Sequence, residues 1–206
     1  MNMKKLTLAA AVLMAFALTL SATPVCTSGD DVLSAGYSCY LDGLVFDNFH
    51  VAAAAGFQMH LGPATGISGN EVVLSFNHTP LLAGDDINFW MRVTGWQLGI
   101  DLYNAGSGAA SIQETACDAQ TYPNPGCSGN ILAQISAGAN GSASALYAGG
   151  PQNVVYIWKD IGVGLAVPGG HLSAFNESFT IPEPVTLSLI GGGLLGLGLL
   201  RRRVRS

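Results

Sequence analysis

The sequence predicts an all-β chain, folded as an antiparallel β-sandwich of jelly-roll type, between two terminal apolar segments. Three observations lead there. Short apolar or alternating runs recur at intervals of roughly ten residues, separated by Gly, Asn, Asp, Ser and Pro. Sustained 3.6-residue periodicity is missing, which argues against long helices. The 206-residue chain has 27 glycines and only 10% charged residues, a composition suited to turns and covered strands.

Taken in order, Lys4 and Lys5 precede an apolar run from Leu6 to Leu20, closed by the small residues Ser21 and Ala22. A positive start, a short apolar middle and a small-residue end predict a secretory signal peptide over residues 1–22. Residues 23–180 form the next unit, about one domain's worth. Its strand candidates are Leu44 to Val51, Glu71 to Asn77, Ile87 to Thr94, Trp96 to Tyr103, Ala109 to Thr115, Asn130 to Ile135, Val154 to Asp160 and Leu172 to Ile181. Val72, Leu74 and Phe76 alternate with Val73, Ser75 and Asn77, and Phe89, Met91 and Val93 alternate with Trp90 and Arg92, so period-two placement puts one set against a core. Gly84-Asp85-Asp86, Gly106-Ser107-Gly108 and Gly149-Gly150-Pro151 read as turns, Pro123 to Ser128 as a loop, and Ala52 to Ala55 as a short helical turn.

Four cysteines, Cys26, Cys39, Cys117 and Cys127, all lie inside this unit. An even count behind a signal peptide predicts disulfides, and four cysteines allow three pairings. The local pairs Cys26 with Cys39 and Cys117 with Cys127 are favoured, because each closes a short loop rich in turn residues. Charge is just as lopsided. All 13 acidic residues lie between Asp30 and Glu183, against Arg92 and Lys159 as the only bases in that stretch. Such an acidic surface repels nucleic acid and anionic lipid.

The remaining segment, residues 181–206, runs Pro182-Glu183-Pro184, then an almost purely apolar stretch over 185–200, then Arg201, Arg202, Arg203, Val204 and Arg205. As a helix the 16 residues from Val185 to Leu200 would span roughly 24 Å, short of the roughly 30 Å hydrocarbon core of a bilayer. Apolar side chains partition into hydrocarbon while guanidinium groups stay at the headgroups, so this is a membrane-retention device carrying one short transmembrane helix. The order of motif, span and arginines resembles the PEP-CTERM sorting signal of bacterial exported proteins, a tail also catalogued as an ice-binding protein C-terminal motif. That resemblance implies delivery by the secretion machinery, retention in the inner membrane, processing by an exosortase, and a final place at the cell surface or in the extracellular matrix. Leu44 to Phe49, Lys159-Asp160-Ile161 and Phe175 to Phe179 also resemble phrases in the ectodomains of such proteins. They imply no catalytic residues.

No nucleophile elbow, zinc helix or phosphate-binding loop occurs, so no catalytic activity is expected. His50, His60, His78 and His171 are scattered, which suits isolated histidines better than a metal centre. Asp30-Asp31 and Asp85-Asp86 flank glycines and could ligate Ca2+, yet lack the alternating spacing of an EF-hand loop; turn-forming aspartates are the simpler reading. No metal or other cofactor is expected. Trp90, Trp96 and Trp158 could stack on sugar rings and make the domain an exopolysaccharide-binding module, since indole faces match the apolar faces of sugars. Core packing accounts for tryptophans in strands equally well. Secreted hydrolase activity through dispersed residues is the least favoured reading.

Overall fold

The computed structural model describes residues 23–165 and 168–182. The predicted signal peptide, Glu183 and Pro184 of the sorting motif, the apolar run and the terminal arginines lie outside the described residues. Twelve strands are described: β1 (Cys39–Leu41), β2 (Leu44–Ala52), β3 (Met59–Leu61), β4 (Gly66–Ser68), β5 (Glu71–Leu82), β6 (Asp86–Gln97), β7 (Gly99–Asn104), β8 (Ala110–Cys117), β9 (Ile131–Gly138), β10 (Ser142–Leu146), β11 (Gln152–Val163) and β12 (His171–Thr180).

These strands form two antiparallel sheets. One, here the front sheet, runs β1-β2-β6-β11-β8-β9; the other, the back sheet, runs β10-β7-β12-β5-β3, with β4 also paired to β5. Within them β5 pairs β12, β6 pairs β11, β7 pairs β10 and β8 pairs β9. That is a long two-stranded ribbon wound back on itself, the path of a jelly roll, with β1–β2 and β3–β4 added along its edges.

Alternation builds the core as expected. Val72, Leu74 and Phe76 of β5 and Phe89, Met91 and Val93 of β6 are all buried. Aromatic rings close the space between the sheets: Phe76 stacks on Phe175 at 4.9 Å, Phe89 meets Phe76 edge-on at 5.4 Å, and Phe46 lies 5.5 Å from Phe179. Offset and edge-on pairs of this kind add about 0.5–1.5 kcal/mol beyond their area burial.

Three details differ from the sequence reading. Ala52 closes β2, and residues 54–57 form a hydrogen-bonded turn, with Phe57 N donating to Ala54 O at 3.2 Å, rather than a helical turn over Ala52 to Ala55. Trp96 to Tyr103 is not one strand, because Trp96 and Gln97 finish β6 and the chain changes sheets before β7 begins at Gly99. Gly95 (φ 133°) opens that corner, where an added Cβ would lie 2.3 Å from Gly43 O. The short strands β1, β3, β4 and β10 were not anticipated.

Both local disulfides are present. Cys26–Cys39 joins the N-terminal segment to β1, with Cα atoms 4.8 Å apart, and Cys117–Cys127 closes the loop after β8, with Cα atoms 5.5 Å apart. Among the described residues no helix is long and apolar enough to cross a membrane.

Candidate functional site

The outward face of the front sheet gathers most of the chemistry-bearing side chains. Because strands alternate, Asn88, Trp90 and Arg92 of β6 point away from the core that Phe89, Met91 and Val93 fill. Register then sets them in rows. His50, Trp90, Trp158, Thr115 and Gln134 run across β2, β6, β11, β8 and β9. On one side lie Asn88, Asp160, Gln113 and Ser136, and on the other Asp47, Arg92 and Tyr156.

The ends of this surface are closed by different devices. Arg92 donates from Nε to Asp47 Oδ1 at 2.8 Å and from Nη2 to Asp47 Oδ2 at 2.6 Å, a two-pronged ion pair across β2 and β6. The disulfide-closed loop folds over Trp90. Asp118 anchors its base by accepting Asn130 N and Asn130 Nδ2, both at 2.7 Å. From this loop Tyr122 stacks on His50 at 4.2 Å and meets Trp90 edge-on at 5.1 Å, while Trp90 Nε1 donates to Asn124 O at 3.2 Å. Trp90 is thereby only 3% exposed. Trp158 stays half-buried and donates from Nε1 to Asn88 Oδ1 at 2.9 Å.

Past Trp158 the face opens into a groove of about 490 Å³ lined by Asp85, Asp86, Gln113, Ser136 and Asp160. Partial burial, followed by the hydrogen bond and charge of Asp86, raises the Asp160 carboxyl above its ordinary value. The groove thus offers paired carboxyls and amide and hydroxyl groups, one register row away from Trp158. A second cleft, on the back sheet, is lined by Asp101, Tyr103, Ser142, Ser144 and Asn176 and measures about 360 Å³.

The predicted tryptophans therefore separate. Trp90 and Trp158 are direct cross-strand neighbours, one covered and one accessible, whereas Trp96 stands beyond the Gly95 corner and is 57% exposed. The aspartate pairs are engaged in their own turns. Asp30 Oδ2 accepts Thr27 N and the Tyr37 hydroxyl, Asp31 Oδ1 accepts Leu33 N, and Asp85 Oδ2 accepts Leu82 N. Nor do the histidines converge. His50 lies under Tyr122, His78 is buried and donates from Nδ1 to Thr79 O at 2.9 Å, and His171 pairs with Ser107 Oγ at 2.9 Å. Burial lowers the His78 pKa below its ordinary value. Among the described residues no group of three His, Cys, Asp or Glu side chains could hold a metal ion.

One cluster was not anticipated. Lys159 of β11 points into the core and hydrogen-bonds both Glu114 of β8 and Glu177 of β12, with all three side chains fully buried. A signal for it existed, since Lys159 is in phase with Val155, Ile157, Ile161 and Val163, and Glu177 with Phe175 and Phe179, all of them core residues.

No family model and no curated protein matches this sequence. Among solved structures the chain is similar to a carbohydrate-binding module, TmCBM61, in complex with β-1,4-galactotriose, at 10% identity over 65% of this chain and 85% of that one, with a TM-score of 0.36. A structure described as CBM4 gives 8% identity over 65% and 76% of the two chains, with a TM-score of 0.24. The secreted serine protease VesC from Vibrio cholerae gives 9% identity over 59% of this chain and 24% of its own, with a TM-score of 0.30. At such scores these likenesses carry no argument about what this chain binds.

Proposed function

We propose that this chain is an exported, non-catalytic surface or matrix protein whose sandwich binds polysaccharide on the outward face of the front sheet. The observation that carries the reading is Trp158: a half-buried indole, held by Asn88, set in register between the row of Tyr156 and the row of Asp160, which lines a groove of carboxyl, amide and hydroxyl groups. Indole and phenol faces stack on sugar rings, and the groove supplies donors and acceptors for hydroxyls. The polysaccharide is uncharged or bears amines. Of the two basic side chains in the described region, Arg92 is paired with Asp47 and Lys159 is buried, so neither is free to meet a uronate or sulfate.

Binding of the full chain to neutral, acidic and amino polysaccharides tests this directly. Trp158→Ala should weaken the neutral or amino partner about tenfold, or about 1.4 kcal/mol, near the top of the range for one aromatic stacking contact of about 0.5–1.5 kcal/mol. Trp96→Ala should leave binding unchanged. Equal binding by wild type and Trp158→Ala, or binding confined to acidic polymers, would remove the proposal.

Export and sorting rest on the terminal segments. The two disulfides support an oxidising destination. Exosortase recognition of Pro182, Glu183 and Pro184, with Arg201, Arg202, Arg203 and Arg205 holding the precursor at the inner membrane, is the sorting route this reading assigns. Deleting residues Pro182 to Ser206 should release the precursor from the membrane fraction; unchanged fractionation would count against it.

A further inference from the structure

The Lys159 cluster is costly as an ion network. Burying each charge costs several kcal/mol after relaxation, and the cost is offset only when every polar atom is matched. Here matching fails. Lys159 Nζ reaches one oxygen of each carboxyl, while Glu114 Oε1 and Glu177 Oε1 are buried with no hydrogen-bond partner. The Phe175 ring lies 5.5 Å from Nζ and helps to seal the cluster from water.

An amine pressed against two carboxyl groups in a water-poor core is also a set of reactants. We propose that the nitrogen of Lys159 condenses with the side-chain carbonyl carbon of Glu177, forming an internal amide between β11 and β12, with Glu114 carrying the protons. Glu177 is assigned as the acceptor: its Oε2 lies against Lys159 Nζ, and burial, and then the charge of Glu114, raises its carboxyl well above the usual carboxylate range, which favours the neutral acid that an amine can attack. Burial alone would lower the Lys159 pKa, but the two carboxyls raise it above its ordinary value. The amine lone pair is therefore free only in the neutral pair formed when the ammonium proton passes to Glu114, a state that low polarity helps to populate. The nitrogen then bonds to Cδ of Glu177. Glu114 gives its proton to the departing hydroxyl and takes one from nitrogen, the C–O bond breaks, and one water leaves. Amine and carboxylic acid become amide and water, with no oxidant, reductant or external co-reactant. Both charges of the pair vanish, and Glu114 ends protonated beside an amide carbonyl that can accept its hydrogen bond. Lys159 belongs to the front sheet and Glu177 to the back sheet, so the new bond would tie the two sheets together through the core.

Mass spectrometry of the purified full chain, denatured with its disulfides reduced and then digested, reads this directly. The expected result is a branched peptide joining Lys159 to Glu177, lighter by one water than its two parts. Glu114→Gln, which keeps both reactants and removes the proton carrier, should yield the two peptides unjoined. Recovery of Lys159 and Glu177 in linear peptides of unaltered mass from the wild type would overturn the proposal, whether or not the variant folds. A branch from Lys159 to Glu114 would overturn the assignment of the acceptor.

Discussion

Phe175→Ala is the most demanding test of how the sheets are held together. Phe175 has no exposed surface, stacks on Phe76 at 4.9 Å, and meets Phe89 at 6.2 Å with an interplanar angle of 68°. Truncating a buried Phe to Ala costs about 3–5 kcal/mol, the spread reflecting how far the site can collapse. Collapse is resisted here, because the ring sits between two sheets whose spacing is fixed by Phe46, Phe89 and Phe179 as well. The upper end applies: about 5 kcal/mol, including the lost ring pairs. With a urea m-value of about 2 kcal/mol/M for a domain of this size, the unfolding midpoint should fall by about 2.5 M. Equilibrium urea unfolding followed by far-UV circular dichroism measures this. Phe175→Leu, which keeps an apolar side chain, should lose less than half as much. A loss below about 2 kcal/mol for Phe175→Ala would refute a core in which both sheets close on this ring.

Two further outcomes follow from the geometry. Replacing Cys117 and Cys127 with Ser frees the loop that holds Tyr122 over Trp90, so tryptophan emission should shift to the red. The chain should also lose about 2.5–3 kcal/mol of loop-closure stabilisation. Unaltered emission would mean that the loop holds its place without the bond. The Asp160 carboxyl is raised above its ordinary value by burial and then by Asp86. A raised carboxyl contributes stability below its unfolded pKa and loses it as pH rises through the folded value, so Asp160→Asn should stabilise the domain at neutral pH and leave it unchanged near pH 3. Thermal unfolding across that window reads the difference, and an equal effect at both ends would disprove it.

Much of the architecture was legible because period-two alternation extends over whole strands. In β5 and β6 the inward set could be named residue by residue. Strands of three residues, such as Cys39–Leu41 and Met59–Leu61, hold barely more than one period, and their pairing is set by neighbours distant in sequence. Ala52 to Ala55 failed for a related reason: alanine favours helix, but four residues cannot outweigh the nucleation cost. At the candidate site, sequence identified the tryptophans but not their fates, since Trp90 is covered by a loop whose path depends on Cys117–Cys127 and on Tyr122 meeting His50. Lys159 is the opposite case: charge ordinarily marks an outward position, yet its strand phase places it inside.

The position of β12 has a consequence for how the domain is assembled. Among the described strands it is the last to be made, yet it fills the middle of the back sheet, pairing with β7 on one side and β5 on the other. Until it arrives, β10-β7 and β5-β3 are two separate half-sheets with bare edges facing a gap. Closure of the back sheet must therefore wait for residues 171–180, so its two halves stay separable until nearly all of the described region has been made.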